Sequence, residues 1–299
     1  MEASLKRKKF KAMIRKGGVM LPGAFNALTA KLIQRAGFKG VYISGAGLNN
    51  GAGYPDIGLL TLTEFTAMAA YIARATDLPC VCDADTGFGE AVNVSRCVKE
   101  MERAGVAGIH IEDQVFPKRC GHLSGKQLIP VEQMVRKIKT AVLSREDKNF
   151  LIIARTDARS VEDFDGAVAR AKAYTAAGAD IIFPEALKDK AEFAEFARKV
   201  KTPLLANMTE FGVSPLLSSK ELFKLGYKVV IYPMGAFRTM MKATEGFYAS
   251  LHKEGTQAGL LDKMQTRKEL YDLLDYDSYA KLDEKAYGDF RGNLKEKSK

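Results

Sequence analysis

Arg103-Ala104-Gly105-Val106, running on into Ile109-His110-Ile111-Glu112, shows the unit from which this chain is built. A helix-like segment stops at a glycine, which takes the left-handed conformation that closes a last helical turn without steric cost. A short apolar run follows, of the kind buried on both faces in a parallel sheet. It closes on polar side chains. The unit recurs as Arg35-Ala36-Gly37-Phe38 before Gly40-Val41-Tyr42-Ile43-Ser44, and as Ala177-Gly178-Ala179-Asp180 before Ile181-Ile182-Phe183. It returns once more as Leu225-Gly226-Tyr227 before Val229-Val230-Ile231.

Working outward, the apolar runs predict strands at Val19–Leu21, Val41–Ser44, Cys80–Asp83, Ile109–Glu112, Leu151–Ala154, Ile181–Phe183, Leu204–Asn207 and Val229–Tyr232. The seven segments between them and the one after the last have helical periodicity or composition, as in Ala167–Ala177 and Lys190–Lys199. Eight such units read as an α/β fold, a (β/α)8 TIM barrel, over residues 1–256. A doubly wound open sheet is the competing architecture, but no Gly-x-Gly-x-x-Gly follows the first strand and no P-loop occurs. Residues 257–299 read as a C-terminal helical extension and basic tail, with helical stretches at Gln257–Met264, Arg267–Leu274 and Ser278–Tyr287.

The chain has 299 residues and a formal net charge of +10, which invites a nucleic-acid reading. Of those ten units, six lie in residues 1–16 (Lys6, Arg7, Lys8, Lys9, Lys11, Arg15 and Lys16 against Glu2) and three in residues 291–299. The body is nearly neutral, so the excess reads as solvated tails, with no nucleic-acid partner. Four cysteines exclude a disulfide scaffold. No apolar run approaches a membrane span, and the basic N-terminus has no apolar segment behind it, so a cytoplasmic protein is expected.

In a barrel of this kind, chemistry sits at the C-terminal strand ends. Those ends carry Tyr42 and Ser44, Asp83 and Asp85, His110 and Glu112, Arg155 and Asp157, Glu185, and Asn207 and Thr209. A spacing of two puts both side chains of a pair on one strand face. So many acids in one mouth repel unless a cation or a ligand holds them. Asp83-Ala84-Asp85-Thr86-Gly87-Phe88-Gly89 offers two carboxylates to a hard divalent ion, and an Asx-type turn with Asp85 capping the next helix is the alternative. Lys118-Arg119-Cys120-Gly121-His122 sits in a long polar loop, near 115–126, after the fourth strand. Its thiol has cationic neighbours suited to proton transfer. Cys80, Cys82 and Cys97 read as core residues. The turn Ser44-Gly45-Ala46-Gly47 offers backbone N–H groups to an anion, and Arg155, Arg238 and Arg267 are candidate carboxylate grips.

These residues, together with Leu21-Pro22-Gly23-Ala24, Glu112-Asp113-Gln114, Ala154-Arg155-Thr156-Asp157 and Asn207-Met208-Thr209, resemble the isocitrate lyase / phosphoenolpyruvate mutase superfamily. Within it the chain resembles the 2-methylisocitrate lyases. The Lys-Arg-Cys-Gly-His loop is similar to that of the carbon–carbon lyases, whereas the phosphonomutases lack the cysteine. The resemblance implies Mg2+ (or Mn2+ in its place) on Asp83 and Asp85, with Asp56 and Glu112 ordering the metal's water shell. It implies substrate contacts from Ser44, Gly45, Ala46, Cys120, Gly121, Arg155, Glu185, Asn207, Met208, Thr209, Arg238 and Arg267. The substrate implied is a small polycarboxylate, 2-methylisocitrate, cleaved to pyruvate and succinate in propionate catabolism by the methylcitrate cycle. Cys120 is the expected proton donor, and Tyr42, on the strand face of Ser44, the expected base. Arg155 and Glu112 complete the expected catalytic set. The resemblance also implies that Ile231 and Pro233, smaller and less polar than their counterparts in isocitrate-specific relatives, leave room for a methyl group. A mobile loop, a homotetramer and helices exchanged between subunits are further implications. Dimethylmalate lyase, isocitrate lyase and oxaloacetate decarboxylase are the alternatives within the superfamily.

Overall fold

The computed structural model describes residues 1–122 and 125–296, with side chains through Tyr287. Leu123 and Ser124 of the expected loop, and Lys297 and Lys299 of the expected basic tail, lie outside the described residues, as do the side chains of Arg291 and Lys295.

Eight strands form: β1 Val19–Ala24, β2 Val41–Ile43, β3 Cys80–Asp83, β4 Gly108–Glu112, β5 Leu151–Thr156, β6 Ile181–Pro184, β7 Leu205–Asn207 and β8 Val229–Tyr232. Every ladder is parallel, and β1 pairs with both β2 and β8, giving the order β6-β5-β4-β3-β2-β1-β8-β7. β6 and β7 meet through the single parallel bridge Ile182–Leu204, so the barrel is nearly closed. The glycine stops act as their sequence implies: Gly37, Gly105, Gly178 and Gly226 all have positive φ, between 86° and 104°.

Alternation along the strands divides the core into two shells. Tyr42, Val81, Ile153, Phe183, Leu205, Val229 and Ile231 point into the barrel. Val41, Ile43, Cys80, Cys82, Ile109, Ile152 and Ile182 pack outward against the helices.

The N-terminal basic segment is not a solvated tail. Ala3–Lys16 is a helix whose Phe10 and Ile14 belong to the inner shell. Lys6 and Arg7 are buried, at 5% and 6% exposure. Lys6 Nζ donates to the carbonyls of Ala73 and Thr76 at the end of the helix Leu62–Arg74. Arg7 donates to the carbonyls of Val106 and Glu102, and faces the carboxylates of Glu102 and Asp147 at 3.5 and 3.3 Å. Two of the seven N-terminal charges thus cap helix C-termini, where unpaired carbonyls attract cations. Lys8, Lys9, Arg15 and Lys16 remain exposed.

Met1–Met240 make one compact unit and Met241–Lys299 another. The division falls within the helix Gly235–Glu254, ahead of the boundary after 256 drawn from the sequence. The second unit holds the rest of that helix, a 3-10 segment Ala258–Lys263, and helices Arg267–Leu274 and Tyr276–Glu296. Among the described residues, no helix is long and apolar enough to cross a membrane.

Candidate active site

Backbone strain gathers where the strands end. Asp85 and Phe88 after β3, Ala186 after β6 and Phe211 after β7, four of the five described non-glycine residues with positive φ, hold it between 45° and 60°, a region uncommon for such residues. At this end a cleft of about 440 Å³ is lined by Tyr42, Ser44, Ala46, Asp56, Asp83, Cys120, Gly121, Arg155, Glu185, Asn207, Thr209 and Arg238, twelve of the residues expected from the sequence. Ile231 and Pro233 line it as well. A larger cavity, about 960 Å³, lies at the opposite strand ends; its one acid, Asp77, is held by the Met1 ammonium.

The remaining expected residues sit otherwise. Gly45 lies behind Asp83, so close that a Cβ there would meet Asp83 Oδ2 at 2.5 Å. Asp85 and Glu112 are buried beneath the cleft floor. Met208 is buried in the outer shell, because alternation along its segment turns it away from its neighbours Asn207 and Thr209. Arg267 belongs to the second unit, where it is the exposed first residue of its helix. Ser44 N-caps the short helix Gly45–Gly51 and takes the Gly47 N–H at 3.1 Å, so the glycine-rich turn is a helix start. Asp85 caps no helix, since the next one begins after Glu90.

The acids are short of positive charge. Lys118 Nζ contacts Asp56 and lies 2.8 Å from Asp85 Oδ1. Apart from that ion pair and the approach of Arg155 Nη1 to Glu112 at 3.3 Å, the buried oxygens of Asp85 and Glu112 have no further partner among the described residues. Burial pushes the Asp85 carboxyl up to about 6 and raises those of Asp83 and Glu112, against the pull of Lys118 and Arg155. Burial opposes the charge of Lys118, but Asp85, Asp56 and Glu112 outweigh it.

Arg155 organises the other wall. Its Nε and Nη2 grip Asp157 at 3.0 and 3.1 Å, its Nη1 faces Glu112 and Glu185 at 3.3 and 3.4 Å, and the guanidinium lies over Phe183. Asn207 Nδ2 donates to Glu185 at 3.2 Å. The loop reaches the same carboxylate: His122 Nε2 is 3.1 Å from Glu185 Oε1. His122 Nδ1 accepts the Val213 N–H, which leaves the proton of a neutral ring on Nε2. Gly121 is packed so tightly that a Cβ would meet Arg155 Nη2 at 2.3 Å.

Tyr42 Oη lies 2.7 Å from His110 Nε2, and that nitrogen is 3.4 Å from Asp83 Oδ1. Burial, then Asp83, raises the phenol, while burial lowers His110 to about 3, so both are neutral at pH 7. His110, Lys118, His122, Lys126 and Asp157 are additions to the expected set. A spacing of two on β5 pointed to Asp157, and the Cys120 motif carried Lys118 and His122; no local signal marked Lys126.

Residues 10–252 match the model of the phosphoenolpyruvate phosphomutase family. A 2-methylisocitrate lyase of Aeropyrum pernix is 53% identical over 265 residues, covering 89% of this chain and 85% of that protein. A solved 2,3-dimethylmalate lyase superposes with a TM-score of 0.89 at 32% identity, covering 96% of each chain. A phosphonopyruvate hydrolase solved with oxalate and Mg2+ does so with a TM-score of 0.85 at 30% identity, covering 94% of this chain and 98% of that one. The chain therefore belongs to the phosphoenolpyruvate phosphomutase family, as an enzyme of its carbon–carbon lyase branch.

Proposed function

We propose that this enzyme cleaves 2-methylisocitrate to pyruvate and succinate. The observation that carries the reading is the juxtaposition of under-satisfied acid oxygens on Asp85 and Glu112 with a cleft that also presents Cys120, Arg155 and the apolar pair Ile231 and Pro233. Identity of 53% to a 2-methylisocitrate lyase supports it.

Buried carboxylate oxygens that lack a full set of hydrogen-bond donors fit a hard cation, and Mg2+ asks for only one or two of them. Asp83 and Asp85 would hold it, Asp56 and Glu112 would order its waters, and Mn2+ would fit the same donors. When bound, the ion supplies a Lewis acid for the substrate's 2-oxygen and adjoining carboxylate.

The chain's own groups do the rest. Arg155, with Asn207, Thr209, Ser44 and the backbone of Gly45, Ala46 and Gly121, orients the carboxylates. Glu185 and Arg238 complete the cleft wall, with Met208 contributing backbone. Tyr42 would take the substrate's hydroxyl proton as its phenolate, the form that Arg155 and a bound cation favour against burial, with His110 Nε2 2.7 Å from its oxygen. The C–C bond then breaks, its electron pair settling on the succinate carbon, where Arg155 and Asn207 stabilise the charge. Cys120 returns a proton to that carbon. Replacing Cys120 with Ser should lower turnover on the order of 10²-fold while retaining product binding. Near wild-type turnover would take Cys120 out of the mechanism. A homotetramer with exchanged C-terminal helices accords with the exposed Tyr279 and Leu282 of the second unit; light scattering on the purified protein tests the assembly.

A further inference from the structure

Asp157 is wholly buried, and its carboxylate serves two cations. Arg155 grips both oxygens. Lys126, on the far arm of the loop, brings Nζ to 3.2 Å from Oδ1 with its side chain 1% exposed. An ammonium is kept at such a place only when paired. The same ammonium donates to the carbonyl of Gly121, next to Cys120 and packed on Arg155 and Glu185.

Asp157 is itself held from behind. Its N–H donates to Asp113 Oδ1 at 3.0 Å, while Asp113 Oδ2 receives Thr156 Oγ1 at 2.8 Å and Tyr174 Oη at 2.7 Å. Arg170 faces Asp113 at 3.4 Å and donates to the Ile129 carbonyl. Ile129 N–H in turn donates to the Asp113 carbonyl, so the base of the loop is tied to the same hub. Lys126 thus spans a fixed carboxylate and the backbone that carries the Cys120 thiol.

We infer that Lys126 is a positioning residue: through Asp157 it holds Gly121, and with it Cys120, against Arg155. A lysine that merely stabilised the fold would not link thiol accessibility to Asp157.

The first test needs no substrate. In ligand-free protein, Lys126→Met raises the rate of Cys120 alkylation by iodoacetamide about tenfold, while Lys126→Arg stays within about threefold of wild type. Lys190→Met, at an exposed ion pair with Glu221, leaves the rate unchanged. The second test rests on the lyase reading: with 2-methylisocitrate, Lys126→Met lowers kcat on the order of tenfold or more and moves KM less than about threefold. In an Asp157→Asn background the added effect of Lys126→Met on alkylation falls below about twofold. If Lys126→Met does not fold, Lys126→Gln takes its place in each comparison. Alkylation at the wild-type rate, or effects that add independently of Asp157, overturns the inference. A wild-type protein inert toward 2-methylisocitrate sinks only the lyase reading, because alkylation still reports on Lys126.

Discussion

The hydroxyl of Tyr42 and Nε2 of His110 are 2.7 Å apart, with the two rings stacked at an interplanar angle of 7°. Both groups are neutral in the metal-free protein at neutral pH, and the His110 ring is placed to hold the Tyr42 oxygen. Tyr42→Phe should therefore lower kcat on the order of 10²-fold with little change in KM, as loss of a general base does. Steady-state kinetics checks this, and an unchanged kcat would move the base elsewhere.

The Asp85 carboxyl, pushed up to about 6 mainly by burial, holds its proton to higher pH folded than unfolded. Between pH 4 and 6 the folded state binds the extra proton, so the metal-free protein loses stability as pH rises through that range. Asp85→Asn should then raise the Tm of the metal-free protein at pH 7.5, on the order of 2–4 °C. The gain should vanish toward pH 4. The same variant should lose heat of Mg2+ or Mn2+ binding in calorimetry. A lower Tm with intact metal binding would contradict the role given to Asp85.

Burial pushes the thiols of Cys80 and Cys97 up to about 12 and raises that of Cys82. Cys120 is half-buried and lines the cleft. Native protein at pH 8 should take up one equivalent of iodoacetamide, located on Cys120 by peptide mass mapping. Modification of Cys80 or Cys97 under native conditions would argue against their placement behind the strands.

Arg7 spans the Val106 and Glu102 carbonyls and two carboxylates. Arg7→Ala should cost about 3 kcal/mol, or a fall in Tm on the order of 6 °C, as loss of one partner of a buried pair does. Lys8→Ala, one residue on and exposed, should fall within about 0.5 kcal/mol of wild type. Deleting residues 1–8, harmless if they were a tail, should destabilise the barrel; thermal unfolding of the three variants decides.

What could be read from the chain follows from which interactions are local. Strands buried on both faces leave unbroken apolar runs, and the glycine that closes each helix announces the next strand; both are set within a few residues. Asp83, Glu112 and Arg155 stood out because a charge ending an apolar run is itself a local contrast. The N-terminal helix did not. Lys6 and Arg7 are neutralised by carbonyls 67 to 99 residues away, and a cation with distant partners looks like a solvated one. Lys126 escaped for the same reason, its carboxylate lying just past β5. Met208 shows the reverse: read as a contiguous motif with Asn207 and Thr209, it is turned to the outer shell by strand alternation.

The most direct test is product analysis of the purified enzyme with Mg2+ and 2-methylisocitrate, run beside isocitrate, 2,3-dimethylmalate and oxaloacetate. The account predicts equimolar pyruvate and succinate from 2-methylisocitrate, abolished by EDTA and restored by Mg2+. No pyruvate from 2-methylisocitrate, with one of the other acids consumed instead, would contradict it.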